Sequence, residues 1–272
     1  MAVKYKLVFS DFDDTLTRSD GSISERTVKA VAEYEKAGGT FVVCTGRSYA
    51  SIKKQLPRVY GERAAHVPVI CFQGGLTADA QGRVIRRVAM DRNDLIELAT
   101  EAEKRGIVAQ TYSGDRMYCS KMTVESREYE IITDCTFDLV GDLVGFIKNY
   151  DGDFDKLLMI AEPEKVQSLK RGFEAKGYPS TRFVFSKPRY LEAIPSCSGK
   201  DKAIEFFVKK FGFDREDVAA FGDSNNDTDM LKTAFFGVAM GNAREECKRA
   251  AACVADTNDN DGLAKMLESF IL

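Results

Sequence analysis

Short apolar runs that end in polar or glycine-containing turns recur through the first 80 residues. Leu7 to Phe9, Thr40 to Cys44 and Val67 to Phe72 are β-rich and apolar, the pattern of buried strands. Between the first two, Val28, Val31 and Ala32 share one face of a helix through about Lys36, with Ser22 or Ser24 as cap and Gly38-Gly39 as stop. Strand, helix and strand in that order predict a parallel sheet. A short helix follows over Ser48 to Gln55.

From about Arg83 the pattern changes. A helix is predicted from Asn93 to Arg105, strands at Ile107–Tyr112 and Arg116–Cys119, and a helix at Ser126–Thr133. A strand at Lys156–Ala161, a helix at Pro163–Lys176 and a strand at Thr181–Ser186 complete an α+β segment. The first pattern then resumes: a strand at Tyr190–Ile194, a helix from Gly199 to Phe211, strands at Val218–Phe221 and Phe235–Met240, and a final amphipathic helix with Leu263, Met266, Leu267 and Phe270. The expected organisation is an α/β, Rossmann-like parallel-sheet core, residues 1–82 and 188–272, interrupted by an inserted α+β domain, residues 83–187.

Charge narrows the partners. A net charge of -3, with Lys and Arg scattered among Asp and Glu, gives no basic field for nucleic acid or an anionic membrane. The N-terminus lacks an apolar secretory segment and no apolar run approaches a membrane span, so a cytoplasmic protein is expected. Seven cysteines without a CxxC pair fit free thiols in a reducing compartment. A single histidine, His66, excludes His-rich zinc sites and leaves catalysis to carboxylates, hydroxyls, lysine and a hard metal.

The strand ends carry the candidate chemistry. Leu7–Phe9 is followed by Asp11, Asp13 and Asp14, and Val218–Phe221 by Asp223 and Asp227. In a parallel sheet both clusters meet at one rim, the usual place for sites in open α/β sheets. Carboxylates without histidine suit Mg2+, which prefers oxygen ligands and shares its shell with phosphate. Thr45-Gly46 offers a hydroxyl and an open backbone N–H to a phosphate oxygen, and Lys200 opens a helix, where a cation is unfavourable unless an anion lies nearby. The Asp151–Asp155 run begins like a calcium loop, but Lys156 and the missing glycine break that pattern.

These pieces resemble the haloacid dehalogenase superfamily, in particular Cof-type sugar-phosphate phosphatases with a C2 cap. The resemblance rests on Asp11-Phe12-Asp13-Asp14-Thr15, the strand ending at Thr45-Gly46-Arg47, Lys200 before a helix, and Gly222-Asp223-Ser224-Asn225-Asn226-Asp227. Gly237 to Ala243 and the Asn260-Asp261-Gly262 turn extend it. It implies Asp11 as nucleophile, Asp13 as general acid and base, and Mg2+ held by Asp11, Asp223 and the Asp13 backbone carbonyl with support from Asp227. It further implies that Thr45, Gly46, Lys200 and Asn226 hold the phosphoryl group of a small phosphorylated metabolite, and that residues 83–187 form the cap. Tyr112, Arg116, Tyr118, Arg182, Lys187 and Arg189 are candidate substrate-facing cap residues. A phosphomannomutase-like mutase and a non-catalytic phospho-acceptor module share parts of this constellation. Three positions depart from the family pattern: Asp14 and Asp201 stand where glycine is common, and Gln73 where asparagine is.

Overall fold

The computed structural model describes residues 2–271. In chain order the strands are β1 (Leu7–Ser10), β2 (Thr40–Cys44), β3 (Val69–Cys71), β4 (Leu76–Ala78), β5 (Val84–Arg87), β6 (Val108–Ser113) and β7 (Arg116–Cys119), followed by β8 (Phe137–Leu139), β9 (Lys156–Ile160), β10 (Thr181–Lys187), β11 (Tyr190–Pro195), β12 (Val218–Gly222), β13 (Phe236–Ala239) and β14 (Cys253–Val254). They form two sheets, and the chain divides into two compact units.

The first unit takes the chain up to Gly46, from Gln55 to Arg86, and from Lys200 onward. Its sheet runs β14-β13-β12-β1-β2-β3-β4-β5, parallel from β14 to β3 and antiparallel between β3 and β4. β1 lies between β12 and β2, with Ser10 opposite Phe221 on one side and Val43 on the other. The topological switch point is therefore at β1, and the residues following β1, β2 and β12 leave the sheet at the same rim. β1 and β12 are buried along their whole length, as expected of strands covered on both faces.

The helix Glu25–Lys36 starts at Ser24, whose hydroxyl accepts from the Thr27 N–H at 3.0 Å. The helix Lys200–Phe211 buries Ala203, Ile204 and Phe207, and Phe207 meets Phe9 of β1 edge to face at 5.6 Å. Burying a side chain of that size stabilises by about 1.5–3 kcal/mol. This packing fixes the helix whose first residue is Lys200.

The second unit comprises Arg47–Lys54 and Arg87–Gly199. Its sheet runs β10-β11-β9-β6-β7-β8, with β7 and β8 parallel and the other pairs antiparallel. Leu95, Leu98, Leu157, Met159, Val166 and Leu169 anchor its apolar core. The expected assignment of the strand at Tyr190–Ile194 to the core sheet is corrected: β11 pairs with β10 and β9. Only Pro188 and Arg189 separate β10 from β11, a connection short enough to make a hairpin the immediate choice. β8 and the helix Leu143–Asn149 carry no clear periodic signal in the sequence. That helix carries an interior Gly145 and relies on its Asp142 cap, which accepts from the Gly145 N–H at 2.8 Å.

Candidate active site

The first unit gathers a carboxylate cluster at the rim beyond β1 and β12. Asp11 follows β1, and its N–H continues the ladder to the Phe221 carbonyl at 3.0 Å. That bond sets Asp11 beside the turn that carries Asp223 and Asp227. Carboxylate oxygens of Asp11, Asp223 and Asp227 all lie within 4.8 Å of one another.

Each carboxylate has a defined environment. Asp227 is fully buried; one oxygen accepts from Lys200 at 2.6 Å and the other from the N–H groups of Asp223 and Ser224 at 3.1 and 3.0 Å. Gly222 permits this closeness, since a Cβ there would lie 2.4 Å from the Asp227 Cβ. One oxygen of Asp223 accepts from the Thr15 hydroxyl at 2.7 Å. Lys200 also donates to Asp11 at 2.6 Å and bridges the two buried carboxylates.

Burial dominates the electrostatics. It raises the Asp11 carboxyl, against the pull of Lys200, and the charges of Asp227, Asp223 and Asp13 add to the rise. Burial and the Asp227 charge push Asp223 up to about 7, with the Thr15 hydrogen bond opposing. Burial alone would lower the Lys200 ammonium, but Asp11 and Asp227 together hold it above its ordinary value. Three carboxylates facing one ammonium leave negative charge in excess. A set of hard oxygen donors with that excess suits a divalent cation, so the residues present fit a metal of this kind.

The neighbouring polar groups come from β2 and β3. Thr45 is buried and donates its N–H to the Ile70 carbonyl at 2.8 Å, which places Gly46 at the same rim. A Cβ on Gly46 would lie 2.4 Å from the Gln73 amide nitrogen, so a side chain there would displace the Gln73 amide. Gln73 is buried in the left-handed region, φ 55°, and accepts from the Asn226 amide at 3.0 Å. The Asn226 Oδ1 is buried with no hydrogen-bond partner, an acceptor left open to a donor that the protein chain does not supply.

All eight of the expected residues, Asp11, Asp13, Thr45, Gly46, Lys200, Asp223, Asn226 and Asp227, thus belong to the first unit. Asp13 stands outside the three-carboxylate group among the described residues. Thr15 and Gln73 make contacts, to Asp223 and Asn226, that carry no signature in the sequence. Asp14 has φ 58°, a left-handed backbone that glycine adopts freely and that aspartate tolerates better than most residues, at some cost.

Most of the suggested cap side chains are engaged within the second unit. Tyr112 and Tyr118 are buried, Arg116 pairs with Asp138 at 2.8 Å, and Arg182 donates to the Ser198 carbonyl at 3.2 Å. In the Asp151–Asp155 run, Asp155 is buried against Arg87 at 2.8 Å.

A parallel α/β sheet with acidic residues at its switch point and an inserted α+β unit defines a class of hydrolases, and the chain as a whole matches one. The family model for haloacid dehalogenase-like hydrolases matches residues 8–267. A putative phosphatase of Haemophilus influenzae is 31% identical over 269 residues, covering 97% of each chain. The 5-amino-6-(5-phospho-D-ribitylamino)uracil phosphatase YwtE of Bacillus subtilis is 27% identical, covering 98% of each. A haloacid dehalogenase-like hydrolase from Bacteroides thetaiotaomicron superimposes with a TM-score of 0.86 at 25% identity, covering 98% of this chain and 99% of its own. The chain belongs to the haloacid dehalogenase-like hydrolases, and the phosphatase class expected from its sequence is the class those relatives carry.

Proposed function

We propose that the protein is a Mg2+-dependent phosphatase that releases inorganic phosphate from a small phosphorylated metabolite, a sugar phosphate or related polyol phosphate, through an aspartyl-phosphate on Asp11. The observation that carries this reading is the bridge of Lys200 between two buried carboxylates, 2.6 Å from each, beside a third. Such crowding is costly without a task, and it matches what phosphoryl transfer needs.

In this reading an Asp11 carboxylate oxygen attacks phosphorus as the ester oxygen leaves, and Asp13 gives that oxygen its proton. Asp13 then takes a proton from water as the water attacks the acyl phosphate, which restores Asp11 and frees phosphate. Lys200, Thr45, Gly46 and Asn226 hold the phosphoryl oxygens. Asp11, Asp223 and the Asp13 carbonyl would hold Mg2+, with Asp227 in support, and the ion would neutralise charge on the phosphoryl group.

The substrate class draws on YwtE, named for a phosphorylated ribityl compound. The unit 87–199 would serve as the cap that selects the leaving group. Cytoplasmic residence is supported by seven free thiols and, among the described residues, by no helix being long and apolar enough to cross a membrane.

Phosphate release from a panel of sugar phosphates, with Mg2+ and with EDTA, tests the reading. Release should require Mg2+ and vanish in Asp11→Asn. Equal turnover by wild type and Asp11→Asn would refute the aspartyl-phosphate route.

A further inference from the structure

The turn that carries Asp13 is held by a closed ring of hydrogen bonds. Within the turn, the Leu16 and Thr17 N–H groups donate to the Phe12 carbonyl at 3.1 and 2.9 Å, and the Asp14 N–H donates to the Thr17 hydroxyl at 3.1 Å. From outside, the Asn242 amide donates to the Asp14 carbonyl at 2.8 Å, and the Asn258 amide to the Thr17 carbonyl at 3.0 Å. The two asparagines are joined in turn, the Asn258 N–H donating to the Asn242 side-chain oxygen at 3.0 Å. The ring therefore begins at Asp14, passes through both asparagines, and returns to the turn at Thr17.

The frame behind the ring is bonded through its backbone to the segment that carries the carboxylate cluster. The Met240 N–H donates to the Gly222 carbonyl at 3.0 Å and the Arg244 N–H to the Asp223 carbonyl at 2.9 Å, so the turn bearing Asn242 is bonded directly to the segment bearing Asp223. The turn bearing Asn258 is pressed against it: Gly241 donates to the Asp256 carbonyl at 3.1 Å, and a Cβ on Gly241 would lie 2.8 Å from the Thr257 nitrogen.

Asp14 supplies the reason such a ring is needed. A non-glycine residue at φ 58° holds strain of order 1 kcal/mol or more and persists only where its surroundings over-determine it. If that residue relaxes, its neighbour Asp13 moves with it, and proton transfer demands placement to within fractions of an ångström.

We propose that Asn242 and Asn258 are positioning residues that clamp the Asp14–Thr17 turn and thereby aim the Asp13 carboxyl at the leaving-group oxygen. The inference rests on the phosphatase reading above. Its chemistry is one step: as the bond from phosphorus to the ester oxygen breaks and the bond to Asp11 forms, the proton on Asp13 passes to the departing oxygen. A misaimed Asp13 harms esters whose alkoxide cannot leave unprotonated, and spares those whose phenoxide can.

The test compares kcat/KM for p-nitrophenyl phosphate with that for the best alkyl phosphate in a sugar-phosphate panel. This ratio isolates the step in which the ester bond breaks. Asn242 is exposed, so Asn242→Ala should fold; Asn258→Ala, at a buried position, is the second variant. Each variant should lose about tenfold on the alkyl ester and no more than about twofold on the aryl ester, the direction of change that Asp13→Asn gives in stronger form. Equal losses on both esters, or no loss on either, would overturn the assignment. A wild-type protein that turns over neither ester refutes the phosphatase reading itself, and the inference with it.

Discussion

Replacing Lys200 by methionine removes the one ammonium between Asp11 and Asp227 while nearly keeping the side-chain volume. The Lys200 side chain is 1% exposed, and its partners are 9% and 0% exposed at 2.6 Å each. Water therefore cannot take over the lost bonds without opening the site. Removing one partner of a buried ion pair costs about 3–5 kcal/mol, because the other charge stays buried and uncompensated. For a chain of this size each kcal/mol lowers the melting midpoint by about 2–4 °C, so the metal-free variant should melt about 10 °C below wild type.

Divalent metal supplies a second way to compensate the same carboxylates. A ligand at a hundredfold excess over its Kd stabilises by about 2.7 kcal/mol, and the variant, with one more uncompensated charge, should gain more than wild type. Thermal denaturation in EDTA and across a Mg2+ titration measures both effects. A fall of less than about 2 °C in EDTA, or an equal Mg2+ gain in the two proteins, would refute the account of Lys200 as the counter-charge of the cluster.

Three further outcomes follow from particular contacts. Asp14→Ala should lose about 1 kcal/mol in urea denaturation while Asp14→Gly keeps or raises the stability, because the cost lies in the left-handed backbone, which glycine adopts freely, and not in the charge. In the second unit, Lys156 and Glu192 pair at 2.8 Å with side chains 1% and 3% exposed; Glu192→Leu alone should cost about 3–5 kcal/mol, and most of that should return in the Lys156→Met/Glu192→Leu double variant. The third concerns pH. The Lys265 ammonium, with the Thr257 N–H and the Asn260 amide, lowers the Asp256 carboxyl from 3.8 to about 2. A depressed folded-state value stabilises above the unfolded value and is lost as pH falls through the folded one. Lys265→Met should move the Asp256 titration seen by NMR up toward 3.8, and lower the melting point at pH 7 much more than at pH 2.

Phosphoryl chemistry concentrates its residues in short runs at strand ends, which is why this site was largely legible in the chain. Asp11 and Asp13, Thr45-Gly46, Lys200, and Asp223 with Asp227 each stand beside a strand or helix whose own pattern is clear. Their contact needs only a parallel sheet, which brings every strand's carboxyl end to one rim. Hydrophobic period likewise identified β11 as a strand. Period fixes which face of a strand is buried and says nothing of which neighbour it joins. That choice fell to the two-residue turn after β10, and β11 went to the second sheet.

The residues that hold the site by backbone contact had no such signature. Asn258 looks like an ordinary turn asparagine and Asn242 stands only as part of the Gly237–Ala243 match; only the folded chain shows them bonded to the carbonyls of Thr17 and Asp14. Asp14 reads in sequence as one charge among three, and its left-handed backbone is a property of the turn around it. The sequence alone thus determined the family and most of the strands, because those depend on residue type and local period. Tertiary structure decided strand partnership, the Lys200 bridge and the asparagine contacts to the Asp14–Thr17 turn: the bridge joins side chains 189 and 27 residues apart, and the asparagine contacts end on backbone carbonyls that carry no side-chain label.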